Sequence, residues 1–86
     1  MIEFTYTMTD PIGLHARPAG MLAKKAAEFK STVTVVKGEK SAETRRIMAL
    51  MGLGVKGGDT ITLRVEGDDE QTASAAIKKF LEENKF

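Results

Sequence analysis

The chain contains no cysteine and no tryptophan. Disulfide frameworks, thiolate metal sites and cysteine nucleophiles are therefore excluded. Small exported domains often carry disulfide staples, so this composition favours a reducing interior. Aromatic residues make up only 6% of the sequence. Among them, Phe4 and Tyr6 alone fall where a sheet could offer them for base stacking. Neither sign of charge dominates, since 13 Lys+Arg against 12 Asp+Glu leave a net charge of +1. That balance builds no polyelectrolyte-binding surface, and nucleic acid is not an expected partner. Long apolar runs are missing too. The longest, Ile47 to Val55, is interrupted by Gly52 and Gly54 and falls far short of the roughly 20 residues that span a bilayer. Met1 to Asp10 has no basic region and no apolar run of signal-peptide length. The expectation is a cytoplasmic protein with no membrane insertion, and a monomer by default.

What is present suits one small globular unit. The 86 residues are 42% apolar and 29% charged, which predicts a single domain spanning 1–86. Much of the apolar fraction is alanine, so the core relies on close approach of elements rather than on bulk. A chain of this size buries roughly 60–70% of its unfolded surface, too little to enclose a deep, lidded cavity.

Periodicity places the elements. Ile2, Phe4, Tyr6 and Met8 alternate with polar residues, as in a half-buried strand, and Asp10-Pro11-Ile12-Gly13 is turn chemistry that stops it. Ala19, Leu22, Ala23, Ala26 and Phe29 recur at helical spacing and predict an amphipathic helix over Ala16 to Lys30. Thr32 to Val36 and Lys40 to Thr44 read as a hairpin about Lys37-Gly38-Glu39, its polar second arm suited to a sheet edge. Ile47 to Met51 fits a short helix ended by Gly52 and Gly54. Gly57-Gly58-Asp59 is a turn, and Ile61, Leu63 and Val65 alternate in a further strand. Asp68-Asp69-Glu70 sits where acids cap a helix and favour its dipole. That last helix carries Ala73, Ala76, Ile77, Phe80 and Leu81 as its apolar stripe, with Lys85 near its C-terminus. The order β-α-β-β-α-β-α predicts an α+β fold of two layers, with helices over one face of a mostly antiparallel sheet.

The one histidine, His15, stands between the Gly13 turn and the first helix. This is an N-cap position, although histidine is not a preferred cap. Pro18 falls within the first turn, where its missing N–H costs little. The N–H groups of Ala16 and Arg17 are then free at the positive end of a helix, an anion site to which Arg17 adds a permanent cation. A neutral imidazole is a nucleophile able to form covalent intermediates. Nucleophile, donors and guanidinium together suit a phosphoryl group, while a general base, a metal cluster and a substrate pocket are lacking. The combination favours a group carrier over a self-sufficient enzyme. A lone histidine is nonetheless more often an ordinary surface residue, and short His-x-Arg strings are common by chance.

Gly13-Leu14-His15-Ala16-Arg17-Pro18-Ala19 resembles the phosphohistidine motif of the HPr family, the phosphocarriers of the bacterial phosphoenolpyruvate:sugar phosphotransferase system. Ile47-Met48-Ala49-Leu50-Met51-Gly52-Leu53-Gly54 fits the same family, and the likeness extends over essentially the whole chain. The resemblance implies an open-faced β-sandwich with a four-stranded antiparallel sheet of order 1-4-2-3 and three helices on one face. It implies that His15 accepts a phosphoryl group on Nδ1 from phospho-enzyme I and passes it to the A domains of sugar-specific enzyme II permeases, with Arg17 contacting that group. No cofactor and no metal is implied. An alternative is a regulatory paralogue serving a nitrogen-type phosphotransferase chain; an RNA-binding domain is disfavoured by charge and aromatic content.

Ile47, Met48, Leu50 and Met51 cannot all point inward from so short a helix. Ile47, Met48 and Met51 are the expected contacts for enzyme I and the permease domains, since methionine adapts to several partners; one exposed Met beside ordinary core residues is the plain alternative. Lys24 adds steering or merely solubility. Gly20 stands where relatives often carry a larger side chain, either admitting a partner's backbone or simply tolerated. Arg46 stands where many Gram-positive members carry a regulatory serine, and an arginine cannot be phosphorylated by a serine kinase. Its charge is also opposite to that of phosphoserine.

Overall fold

Alternation of apolar and polar residues builds the sheet. In the computed structural model, which describes residues 1–86, β1 spans Ile2–Thr7, β2 Thr32–Lys37, β3 Lys40–Glu43 and β4 Thr60–Glu66. All pairings are antiparallel and the order is β1-β4-β2-β3. Leu63 of β4 stands opposite Phe4 on one side and Val35 on the other. β1 and β2 thus run the same way with β4 inserted between them, and the polar β3 lies at an edge, as its sequence predicts.

Helix α1 spans Ala16–Ala26, α2 Ile47–Met51 and α3 Glu70–Glu83. Their apolar stripes meet a single face of the sheet. Leu22 of α1, Leu50 of α2 and Ile77 and Leu81 of α3 share one buried cluster with Val33, Val35, Ile61, Leu63 and Val65. The intervening strand residues, such as Thr62 and Arg64, lie on the opposite face, outside that cluster. Tyr6 closes the α3 side by donating its hydroxyl to the Leu81 carbonyl at 3.0 Å.

Three local expectations are corrected, at the end of α1, at Lys85 and at Asp69. The first helix stops at Ala26 rather than Lys30, and residues 27–31 form turns that bring Phe29 back onto the core. Gly52 ends α2 as its C-cap in a right-handed conformation, as expected, and the left-handed reversal follows at Gly54, with φ of 71°. Lys85 lies beyond the helix, past the Asn84 C-cap, with φ of 56°, so no basic residue occupies the last turn. Asp69 occupies the N-cap of α3 but makes no side-chain cap bond. Its carboxylate instead accepts the N–H groups of Lys30 and Ser31, each at 2.9 Å, and the Ser31 hydroxyl. A longer α1 would carry these donors away, so the early stop of α1 and the diversion of Asp69 are one feature.

Asp69 is held below its ordinary pKa of 3.8, first by the Ser31 hydroxyl and then by the Lys30 N–H. A pKa lower in the folded than in the unfolded chain stabilises above the unfolded value and is lost as pH falls through the folded one. Asp69→Asn is expected to lower the melting temperature at pH 7. The gap to the unsubstituted protein should narrow as the pH drops below 3.8; a gap independent of pH between 7 and 2 would rule out the ionised clamp.

Candidate functional site

Two backbone segments build the platform for His15. After β1, Met8 donates to the Asp59 carbonyl and accepts from Gly58, both at 2.9 Å. Leu14, buried, donates to the Val55 carbonyl at 3.0 Å. Residues 8–14 are thereby laced onto the loop of residues 55–59. Gly13 has φ of 84°, and a Cβ there would lie 2.2 Å from the Val55 carbonyl oxygen. Gly57 answers from the other side, where a Cβ would stand 2.6 Å from the Asp10 carbonyl oxygen. Both positions need glycine because two backbones touch. The Phe86 carbonyl oxygen receives the N–H groups of Thr9 and Asp10 at 2.6 and 2.8 Å, with the Phe86 ring buried edge-on to Phe80.

The lower loop is itself anchored. Lys37 of β2 donates to the Gly54 carbonyl at 2.7 Å and pairs with Asp59 at 2.9 Å. Asp59 also accepts the Lys56 N–H at 2.9 Å. That N–H, then the Lys37 ammonium, draws the Asp59 carboxyl below its ordinary pKa.

His15 leaves this platform as the N-cap of α1, with extended backbone and no side-chain cap bond. Its carbonyl accepts the first intrahelical bond, from Ala19 at 3.0 Å. The N–H groups of Ala16 and Arg17 donate to no backbone or side-chain acceptor, and Pro18 has none to give. No acidic residue offsets the first turn. The imidazole is 35% exposed, and its Nε2 lies 3.6 Å from Oδ2 of Asp10. Arg17 is exposed and makes no ion pair. None of the three main clefts is lined by His15, Ala16 or Arg17. What the arrangement can do chemically is hold a dianion between backbone donors and a guanidinium, in the open.

The second predicted cluster divides. Leu50 is the buried residue of α2, while Met48 is 78% and Ile47 39% exposed. Met51 is half-buried and packs on the core. α2 packs against α1, on which Lys24 is exposed and Gly20 half-buried; a Cβ at Gly20 would meet nothing within 4 Å. Two residues escaped the sequence reading. Ile12 is 68% exposed in the turn just before His15, and Asp10 faces the imidazole. Both look like turn residues in sequence. The only available signal was a carboxylate five residues ahead of a lone histidine.

Residues 2–83 match the family model described as PTS HPr component phosphorylation site. The phosphocarrier protein HPr of Mycoplasma genitalium is 43% identical over 86 residues, covering 99% of this chain and 98% of that one. Its counterpart in Mycoplasma capricolum is 42% identical over 79 residues, 92% of this chain and 89% of that one. The solved structure of a mycoplasma histidine-containing phosphocarrier protein superposes with a TM-score of 0.92 at 38% identity, covering 98% and 96% of the two chains.

The close backbone contact at Gly13 gives a direct expectation. Gly13→Ala forces a left-handed alanine and a collision with the Val55 carbonyl, together costing about 2–4 kcal/mol. Denaturant unfolding measures this, and a loss under about 0.5 kcal/mol, the scale of an ordinary surface substitution, would contradict the close approach.

Proposed function

The chain belongs to the PTS HPr family of phosphocarrier proteins, and on that premise we propose that His15 carries the phosphoryl group from phospho-enzyme I to the A domains of sugar-specific enzyme II permeases. The observation that carries this reading is an accessible imidazole set at a helix start whose Ala16 and Arg17 N–H groups have no partner. The Nδ1 lone pair attacks the phosphorus of a donor phosphohistidine as the donor P–N bond breaks and its electron pair returns to the donor ring. Transfer onward reverses the roles. The backbone donors and Arg17 stabilise the added charge in both directions. The group is held between partners rather than turned over, which agrees with a site lying in the open.

Ile47 and Met48 offer apolar contact to those partners, with Met51 supporting them from the half-buried side of α2. Their exposure supports a docking role, because an apolar helix face left in water usually marks an interface. Lys24, exposed on α1, adds long-range attraction. Gly20 leaves open space in which a partner backbone fits. The chain works as a single domain in the cytoplasm, where its donor and acceptors meet.

With phosphoenolpyruvate and enzyme I, an acid-labile phosphate is expected at His15. His15→Ala should abolish it, and Arg17→Ala should slow its appearance by about 100-fold. Label persisting in His15→Ala would refute the assignment.

Arg46 forms the N-cap of α2, again without a side-chain cap bond. Thr44 nearby is buried. We infer that this chain lacks the serine-based regulatory switch of many Gram-positive relatives. Incubation with an HPr-type serine kinase and ATP should leave residues 41–46 unmodified; a stoichiometric phosphoserine in the intact mass, mapped to Ser41, would show the switch to be present.

A further inference from the structure

We propose that Asp10 is a positioning residue that keeps the proton of neutral His15 on Nε2, leaving the Nδ1 lone pair free for phosphorus. This rests on His15 being the phosphoryl acceptor.

Three observations support it. Asp10 is fixed at both ends of its backbone, donating its N–H to the Phe86 carbonyl at 2.8 Å and accepting the Gly13 N–H at 3.0 Å. Its side chain is 23% exposed and is fixed as well, because Oδ1 accepts the Ile12 N–H at 2.9 Å. That leaves Oδ2 to face the imidazole, 3.6 Å from Nε2. The separation is longer than a hydrogen bond. It is the loose geometry that catalytic contacts often show before a partner closes over them. An ionised carboxylate only accepts hydrogen bonds, so a neutral imidazole beside it gains by placing its N–H there. The other nitrogen is then a lone pair.

The same arrangement serves the charged intermediate. Once Nδ1 has bonded to phosphorus and the donor P–N bond has broken, the ring is a phosphoimidazolium still protonated on Nε2. The Asp10 carboxylate then faces a positive ring, while the phosphoryl oxygens take the Ala16 and Arg17 N–H groups. Onward transfer breaks the Nδ1–P bond and returns the pair to Nδ1. No proton has to move in either step.

Substitution by asparagine is the sharp test. The amide oxygen can still accept the Ile12 N–H and keep the turn, but its NH2 then points at Nε2. An NH2 group donates, so the imidazole proton is driven to Nδ1, the nitrogen that must react. Asp10→Asn is therefore expected to be worse than Asp10→Ala, the reverse of what a merely structural turn residue would give. The readouts are the two-bond 15N–1H spectrum of labelled His15 at pH 8.5 and the initial rate of labelling from phosphoenolpyruvate and enzyme I. In the unsubstituted protein the protonated nitrogen should be Nε2. In Asp10→Asn it should shift to Nδ1, with labelling at least 10-fold slower and below that of Asp10→Ala. An unchanged tautomer in Asp10→Asn, or a rate equal to or above that of Asp10→Ala, overturns the proposal. Failure of the unsubstituted protein to label at all would instead overturn the carrier reading on which it rests.

Discussion

The backbone contact between residues 8–14 and residues 55–59 is the constraint on which the site depends. Two chain segments far apart in sequence are held so close that neither Gly13 nor Gly57 has room for a Cβ. The Leu14 N–H and Val55 carbonyl close the contact, and Leu14 and Val55 are both buried beneath it. Where this lacing ends, the chain must enter α1, and His15 is the residue at that junction. A histidine on a free loop would sample many orientations, and fixing any one of them would cost entropy. Held at an N-cap above a rigid turn, it starts from the same helix end that carries the free N–H groups of Ala16 and Arg17.

The site avoids stabilising itself. An N-cap normally satisfies a helix N–H with its own side chain, worth about 1 kcal/mol. His15 makes no such bond, and no acidic residue sits in the first turn of α1. Two donors and a positive helix end are left unmet, which is a modest cost in stability and an arrangement that favours an anion. The same forfeit recurs at α2, capped by Arg46 without a bond and with a cation at its positive end. A helix of five residues is far too short to hold by propensity. It persists because Leu50 is buried in the core and pins the segment, leaving Ile47 and Met48 to face water.

Charged contacts elsewhere follow a different logic. Asp69 gathers two backbone N–H groups from a neighbouring turn and Asp59 one from its own loop, and neither neutralises a buried charge. They work as crosslinks between α3 and the α1–β2 turn, and between β2 and the platform loop through Lys37. Both matter to the site at a distance, because each fixes one end of an element on which His15 or its platform depends.

Much was legible in the chain order alone. Strict alternation in β1 and β4, the 3.6-residue stripes of α1 and α3, and the unusual placement of His15, Arg17 and Pro18 at one helix start are local patterns, and local patterns are written in sequence. Exposure of part of the Ile47–Met51 segment followed from its shortness. Tertiary structure decided whatever depends on residues distant along the chain. Asp69 reads as a cap until Ser31, 38 positions away, competes for its carboxylate. Asp10 reads as a turn residue until the turn folds its side chain toward His15. Gly13 and Gly57 read as loop punctuation until two backbones collide there. Periodicity reports which face of an element is apolar, whereas the partner of a polar side chain is set by whichever group the fold delivers within about 3 Å.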